Sequence, residues 1–246
     1  MTSRKTACEI IGDTRDSRIL VCCDHASNRV PEEVGPLGVS VEDMARHIAY
    51  DIGAAGVARY LAAELQAPAI LATFSRLVID PNRGEDDPTL IMQIYDGTLI
   101  EGNRHLDERA RNWRIKACYR PYHTALERLL MQQKRPILIS IHSFAPQLRA
   151  RPERPWHIGI LHDGDDVFAR PLIARLRKEK DLCIGENEPY TGHLPGDTID
   201  KHALGRNIPN TLIEIRNDLI RSKQDQQRWA ARLAPILTET IAKTGV

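Results

Sequence analysis

A three-layer α/β/α sandwich around a mostly parallel mixed sheet is the fold class this sequence predicts, and three observations predict it. Short β-branched apolar runs alternate along the chain with long segments of helical periodicity. The short runs have strand lengths, and loops rich in Pro, Gly and charge separate the two kinds of segment. Three of the apolar runs end in side chains able to do chemistry, where open α/β sheets place their ligands.

In chain order, the first strand is expected at 18–24, ending in Asp24 and His25. The segment 41–66 follows with apolar residues at Val41, Met44, Ala45, Ile48, Ile52, Ala55, Val57, Tyr60, Leu61 and Leu65. That spacing predicts one long helix, closed by Pro68. Strands at 69–73 and 76–80 lead to a loop at 81–89, and a second helix is predicted over 106–133. The remaining strands are 136–142, 156–162, 182–186 and 210–216, with helices at 166–180 and 224–243. Pro235 marks a kink point in the last helix. Loops at 145–156 and 187–198 complete the list, and a short helix starts at Asp197 or Thr198. No repeat, low-complexity tract or linker divides the chain, so residues 1–246 are read as a single domain.

Composition excludes several function classes. With 34 basic and 33 acidic residues interspersed and a net charge of +1, no basic face advertises nucleic acid or a membrane surface. The N-terminal segment is too often interrupted by charge to be a signal peptide, and no window reaches the ~20 apolar residues of a membrane span. A cytoplasmic location is expected. Five cysteines without a C-x-x-C pair read as free thiols in a reducing compartment. Cys22 and Cys23 are expected to pack rather than react.

The run ISIHSF (139–144) delivers His142 and Ser143, RILVCCDHASN delivers Asp24 and His25, and TLIEIRND delivers Glu214, Arg216 and Asp218. Two imidazoles and a carboxylate at strand ends are the inventory of a mononuclear metal hydrolase. Asp51 and Asn28 compete as the third ligand. A carboxylate suits zinc better than an amide oxygen. Glu214, flanked by apolar residues, is either a general base beside a metal or a buried ion-pair partner of Arg216 or another arginine. FSRLVIDPNR supplies Arg76, Asn82 and Arg83, and its two guanidiniums suit a substrate carboxylate or a developing oxyanion. Arg216 and His202 complete the candidate substrate-binding set. His47, His105, His123, His157 and His162 read as scaffold or surface residues.

Together these motifs resemble the N-formylglutamate amidohydrolase family, within the fold group of zinc carboxypeptidases and amino-acid deacylases. DHASN is similar to its first metal motif, FSRLVIDPNR to its Ser-Arg-x-x-x-Asp-x-Asn-Arg motif, ISIHS to the second metal-histidine strand and IEIR to the strand of the catalytic glutamate. The resemblance implies a zinc-exopeptidase, phosphorylase/hydrolase-like fold and one Zn²⁺ per chain held by His25, His142 and Asp51. It implies Glu214 as base and Asn82 and Arg83 as a carboxylate clamp; in such a site Arg76 or the metal is expected to stabilise the oxyanion. Asn28 stands where zinc carboxypeptidases carry the glutamate of His-x-x-Glu, and the AYDIGA segment is similar to the stretch where the amidohydrolase family has an aspartate, so Asp51 is favoured. The expected partner is a small N-acyl acidic amino acid, N-formyl-L-glutamate first, cleaved to formate and L-glutamate. A carboxypeptidase, another deacylase, or a metal-free protein that only binds an acidic metabolite are the alternatives.

Overall fold

The computed structural model describes residues 6–12 and 17–246. Among these, nine strands form: β1 (Cys8–Ile11), β2 (Ile19–Cys23), β3 (Ala69–Ala72), β4 (Ile94–Tyr95), β5 (Thr98–Leu99), β6 (Ile137–Phe144), β7 (Ile158–Leu161), β8 (Ile184–Glu186) and β9 (Asn210–Arg216). The α-helices are α1 (Val41–Met44), α2 (Ala54–Glu64), α3 (Glu108–Arg114), α4 (Arg120–Met131), α5 (Ala169–Leu176), α6 (Thr198–His202) and α7 (Lys223–Thr244). A π-helical turn, Ile115–Tyr119, joins α3 to α4.

Seven strands form one sheet in the order β1-β3-β2-β6-β9-β7-β8, and β4 pairs with β5 in a separate hairpin. β3, β2, β6 and β9 run parallel, whereas β1 and β7 lie antiparallel to β3 and β9. Side chains alternate across a strand, so the all-apolar runs feed two cores. Val21, Cys23, Ile139, Ile141 and Ile213 pack with Val57, Leu61, Leu172, Leu233 and Leu237 of α2, α5 and α7. Leu20, Cys22, Leu138 and Leu212 face the other way, against Tyr122, Leu126 and Leu130 of α4. The three layers expected from the sequence are therefore present. Cys22 and Cys23 serve one core each, and burial pushes both thiols well above their ordinary range.

Four local expectations are corrected. Residues 76–80 are not a strand, although Leu77, Val78 and Ile79 are fully buried. Their carbonyls are captured by side chains instead of a ladder: Asn103 Nδ2 donates to Leu77 at 2.8 Å and Arg114 Nη1 to Val78 at 2.8 Å. The helix expected over 41–66 is broken into α1 and α2 by an irregular stretch at 45–53, which carries Asp51. β1 was missed because its four residues, CEII, include a charge and two are exposed, the mark of an edge strand. The β4–β5 hairpin, two residues a side, is too short to show periodicity. Elsewhere α6 starts at the expected place, with Asp197 capping it by accepting from the Asp200 amide. Among the described residues no helix is long and apolar enough to cross a membrane.

Candidate active site

The site lies at the C-terminal ends of the three central parallel strands. β2 ends at Cys23 and hands the chain to Asp24 and His25. On β6 and β9, His142 and Glu214 are register partners. Ser140, two residues before His142, is paired with Cys22 of β2, which places the polar side chains of neighbouring strands together on one face. Asp51 reaches them from the break between α1 and α2, where its amide donates to the His25 carbonyl at 2.9 Å. The break then re-enters a helix through Gly53, at φ +82°, where a Cβ would lie 2.2 Å from the Ile220 carbonyl oxygen. Only glycine fits that turn, and the turn aims Asp51 inward.

Donor atoms of His25, Asp51 and His142 all lie within 4.8 Å of one another. The residues are 2%, 3% and 2% exposed, and Glu214 beside them 6%. His25 Nδ1 is 3.4 Å and His142 Nδ1 2.9 Å from the Asp51 carboxylate, which also accepts from the Ser143 amide at 3.1 Å. Each imidazole turns its other nitrogen to a second buried carboxylate: His25 Nε2 to Asp80 Oδ1 at 2.7 Å, His142 Nε2 to Asp24 Oδ2 at 3.2 Å. Nε2 of each ring, held by its carboxylate, leaves Nδ1 on the Asp51 side as the atom that could ligate a metal. Asp24 in turn accepts from Tyr122 Oη at 2.6 Å and Thr198 Oγ1 at 3.0 Å. Burial alone would raise the Asp24 carboxyl, but the bond to His142 and the imidazole charges bring it down to about 2. Burial likewise opposes the imidazole charges and bonds at Asp51 and, at Asp80, first the Arg76 guanidinium and then His25, and both carboxyls are held below the ordinary range. Two imidazoles and one carboxylate, convergent, buried and backed by further carboxylates, fit a zinc ion by donor chemistry.

Glu214 shares this chamber without sharing its bonds. Its Oε2 is buried with no hydrogen-bond partner, and burial pushes the carboxyl up to about 7. Arg216, expected either to pair with Glu214 or to bind substrate, does neither. Its guanidinium is bound to Asp218 at 2.8 Å and reaches the Arg154 carbonyl at 3.3 Å, and it does not line the cleft.

A cleft of about 420 Å³ opens over the site. Its walls include Arg76, Asn82, Arg83, His47, Tyr190 and Asp197. Arg76 is buried, paired to Asp80 at 2.8 Å and 3.5 Å from Asp51, with its guanidinium 5.2 Å over the Tyr95 ring. Asn82 accepts from the Thr198 amide at 3.1 Å. Arg83 is half-buried and bonds a hydroxyl, Thr89 Oγ1 at 3.1 Å, and a carbonyl, Asn82 at 2.7 Å; it has no ion-pair partner among the described residues. The roof comes from the loop after β8. A Cβ on Gly159 of β7, register partner of Glu214, would strike the Glu188 carbonyl oxygen at 1.9 Å, so glycine there lets the loop close over Glu214.

Of the expected site residues, the fold brings together His25, Asp51, His142, Glu214, Arg76, Asn82 and Arg83. It excludes His202 from the cleft along with Arg216. His202 Nε2 instead sits 2.9 Å from His123 Nδ1, and His123 Nε2 donates to the Pro81 carbonyl at 3.0 Å, so the pair supports the segment beneath the arginines. Asn28 is exposed and donates to the Met44 carbonyl at 2.9 Å, away from the two histidines, whereas Asp51 is the third member of the candidate donor cluster. The sequence reading missed Asp24 and Asp80 as the groups that orient the histidines. The signal was present in the DH pair at 24–25 and the aspartate of DPNR. His47, read as scaffold, lines the cleft, and nothing in its local sequence separates it from a helical surface residue.

The N-formylglutamate amidohydrolase family model matches residues 17–221. A gene product of Agrobacterium tumefaciens is 32% identical over 100% of this chain and 99% of its own, with a TM-score of 0.93. The N-formylglutamate amidohydrolase of Ralstonia eutropha superposes with a TM-score of 0.68 at 18% identity, covering 96% of this chain and 99% of that one. The zinc-free form of YNDL shares the fold at a TM-score of 0.50 and 14% identity, over 98% and 92% of the two chains. No curated protein matches the chain.

Proposed function

The chain belongs to the N-formylglutamate amidohydrolase family, and from that premise we propose that it is a zinc-dependent hydrolase of N-acyl acidic amino acids, with N-formyl-L-glutamate as substrate. One observation carries the reading: a buried carboxylate with an unpartnered oxygen, Glu214, stands in register with His142 of the convergent His25, Asp51 and His142 donors. His25, Asp51 and His142 would hold the zinc, which when bound supplies Lewis acidity toward water and the acyl carbonyl.

This chain's own residues account for the remaining steps. Glu214 takes a proton from the attacking water as its oxygen bonds to the formyl carbon, and the carbonyl electron pair moves onto oxygen. Arg76, locked by Asp80, offers fixed positive charge to that developing oxyanion without reorganising. When the C–N bond breaks, the electron pair goes to the glutamate nitrogen and Glu214 returns its proton there. Arg83, cationic and free of a carboxylate, and the amide of Asn82 receive a carboxylate of the amino acid. The retained donor set and the unpaired base favour an enzyme over a binding protein that has lost its chemistry. The test is formate release from N-formyl-L-glutamate by zinc-loaded protein, compared with N-acetyl-L-glutamate and N-formyl-L-leucine. Turnover of none of the three sinks the reading, and preference for the acetyl compound redirects it to another deacylase.

A further inference from the structure

The segment that carries Arg76, Asn82 and Arg83 has no strand ladder of its own, and one helical face holds it by its carbonyl oxygens. Arg114 Nη1 donates to Val78 at 2.8 Å, Tyr119 Oη to Arg83 at 2.5 Å, and His123 Nε2 to Pro81 at 3.0 Å. Those three side chains could not share a face on an uninterrupted α-helix. Residues five apart, as Arg114 and Tyr119 are, diverge there by about 140°. The π-helical turn at Ile115–Tyr119, in which the Arg120 amide donates to the Ile115 carbonyl, removes that divergence, because an i to i+5 closure stacks residues five apart. Tyr119 and His123 then follow at the ordinary spacing of four. Tyr119 is 1% exposed, and Lys201 donates to its hydroxyl from the far side with Nζ 4.4 Å from the ring centre, so the phenolic hydrogen is left to point at Arg83.

We infer that Tyr119 is a positioning residue for the substrate clamp, and that the π turn exists to bring it into line with Arg114 and His123 beneath the arginine segment. The inference rests on the reading of Arg83 as receptor of a substrate carboxylate. Tyr119 touches no substrate; it sets the height of the Arg83 backbone, and through it the reach of the guanidinium. Loss of the hydroxyl therefore weakens recognition of an acidic substrate and leaves the bond-breaking groups on β6 and β9 in place.

The experiment measures kcat and KM of the zinc-loaded enzyme on N-formyl-L-glutamate and N-formyl-L-leucine for wild type, Tyr119→Phe and Arg83→Ala, with a melting temperature for each. Tyr119→Phe is expected to raise KM for the acidic substrate about five-fold, the worth of one ordinary hydrogen bond, with kcat and the leucine compound's KM unchanged. An equal change on both substrates, or a fall in kcat alone, assigns Tyr119 a general structural role and overturns the inference. If Arg83→Ala raises the acidic KM and Tyr119→Phe does not, the inference fails and the clamp stands. If Arg83→Ala leaves KM unchanged, the clamp reading falls and takes the inference with it. Should Tyr119→Phe not fold, Lys201→Met removes the donor that orients the same hydroxyl, and an acidic-substrate KM equal to wild type then overturns the inference.

Discussion

His142 and Glu214 are register partners on β6 and β9, so a metal-ligand candidate and an unpaired carboxylate leave the same face of the sheet side by side. Two adjacent parallel strands with eight and seven residues fix their separation far better than loops would. The partnership also explains why Glu214 has no bond of its own. Its neighbour's imidazole is already committed to Asp24 and Asp51.

Glu214→Gln is expected to keep the fold and the zinc while lowering kcat by about 10² or more, the usual range for loss of a general base. Oε2 makes no hydrogen bond, so the substitution orphans no partner and the melting temperature should barely move. A zinc-loaded variant with wild-type turnover removes Glu214 from the mechanism.

Metal analysis checks the ligand set. His25→Ala, His142→Ala and Asp51→Ala should each purify with greatly reduced zinc, whereas Asn28→Ala should retain it. Asp24→Asn and Asp80→Asn, which unmoor the imidazoles without touching the ligand position, should weaken zinc affinity by about 10- to 100-fold. Full zinc occupancy in Asp51→Ala would return the third ligand to an open question.

The two arginines expected to meet substrate should separate cleanly. Arg83→Lys should recover only part of what Arg83→Ala loses in KM for N-formyl-L-glutamate, since a point charge lacks the planar fork. Arg216→Ala should leave KM unchanged, because its guanidinium is spent on Asp218 and loop carbonyls outside the cleft. A rise in KM for Arg216→Ala comparable to that of Arg83→Ala would refute this division.

The His123–His202 pair should take stability away as the solution is acidified from about pH 6.5 toward pH 4, while Glu214, its carboxyl raised to about 7, and Asp197, raised to about 6, take up protons in the same window and act in the opposite direction, so the pair is isolated by comparing variants. Burial drives His202 down to about 4 and His123 to about 3. Below the ordinary histidine range near 6.5, the unfolded chain binds protons that the folded pair refuses, so unfolding gains. His202 alone makes that loss on the order of 3 kcal/mol, complete by about pH 4. His202→Gln keeps a donor for His123 Nδ1 and removes the titration, so its melting temperature should decline less steeply with acid across this window. A slope identical to wild type would show that the pair is not the source.

Much of the site was legible in the sequence because strand ends are local. DH at 24–25, IHS at 141–143 and IEIR at 213–216 each close an apolar run, and a buried run delivers its terminal polar residue to the sheet's edge whatever surrounds it. Asp51 was harder. The apolar spacing through 41–66 is helical, yet its backbone breaks at 45–53, held by bonds such as Asp51 to the His25 carbonyl and Ser75 Oγ to the Ala49 carbonyl at 2.7 Å. Periodicity records which residues are buried, and Ile48 and Ala49 are fully buried without being helical.

What the sequence by itself determined, then, is the three-layer sheet, the two histidines and the glutamate, all consequences of period and apolar length. Only the tertiary structure decided the partners: Asp80 behind His25, Asp24 behind His142, Arg216 turned to Asp218, and His202 withdrawn to His123. It also decided that 76–80, strand-like in composition, gives its carbonyls to Asn103 and Arg114. The physical reason is common to all of these. A buried polar group must find a partner, but the partner lies as far as 174 residues away, as Thr198 does from Asp24, and the need for a bond does not say which group will meet it.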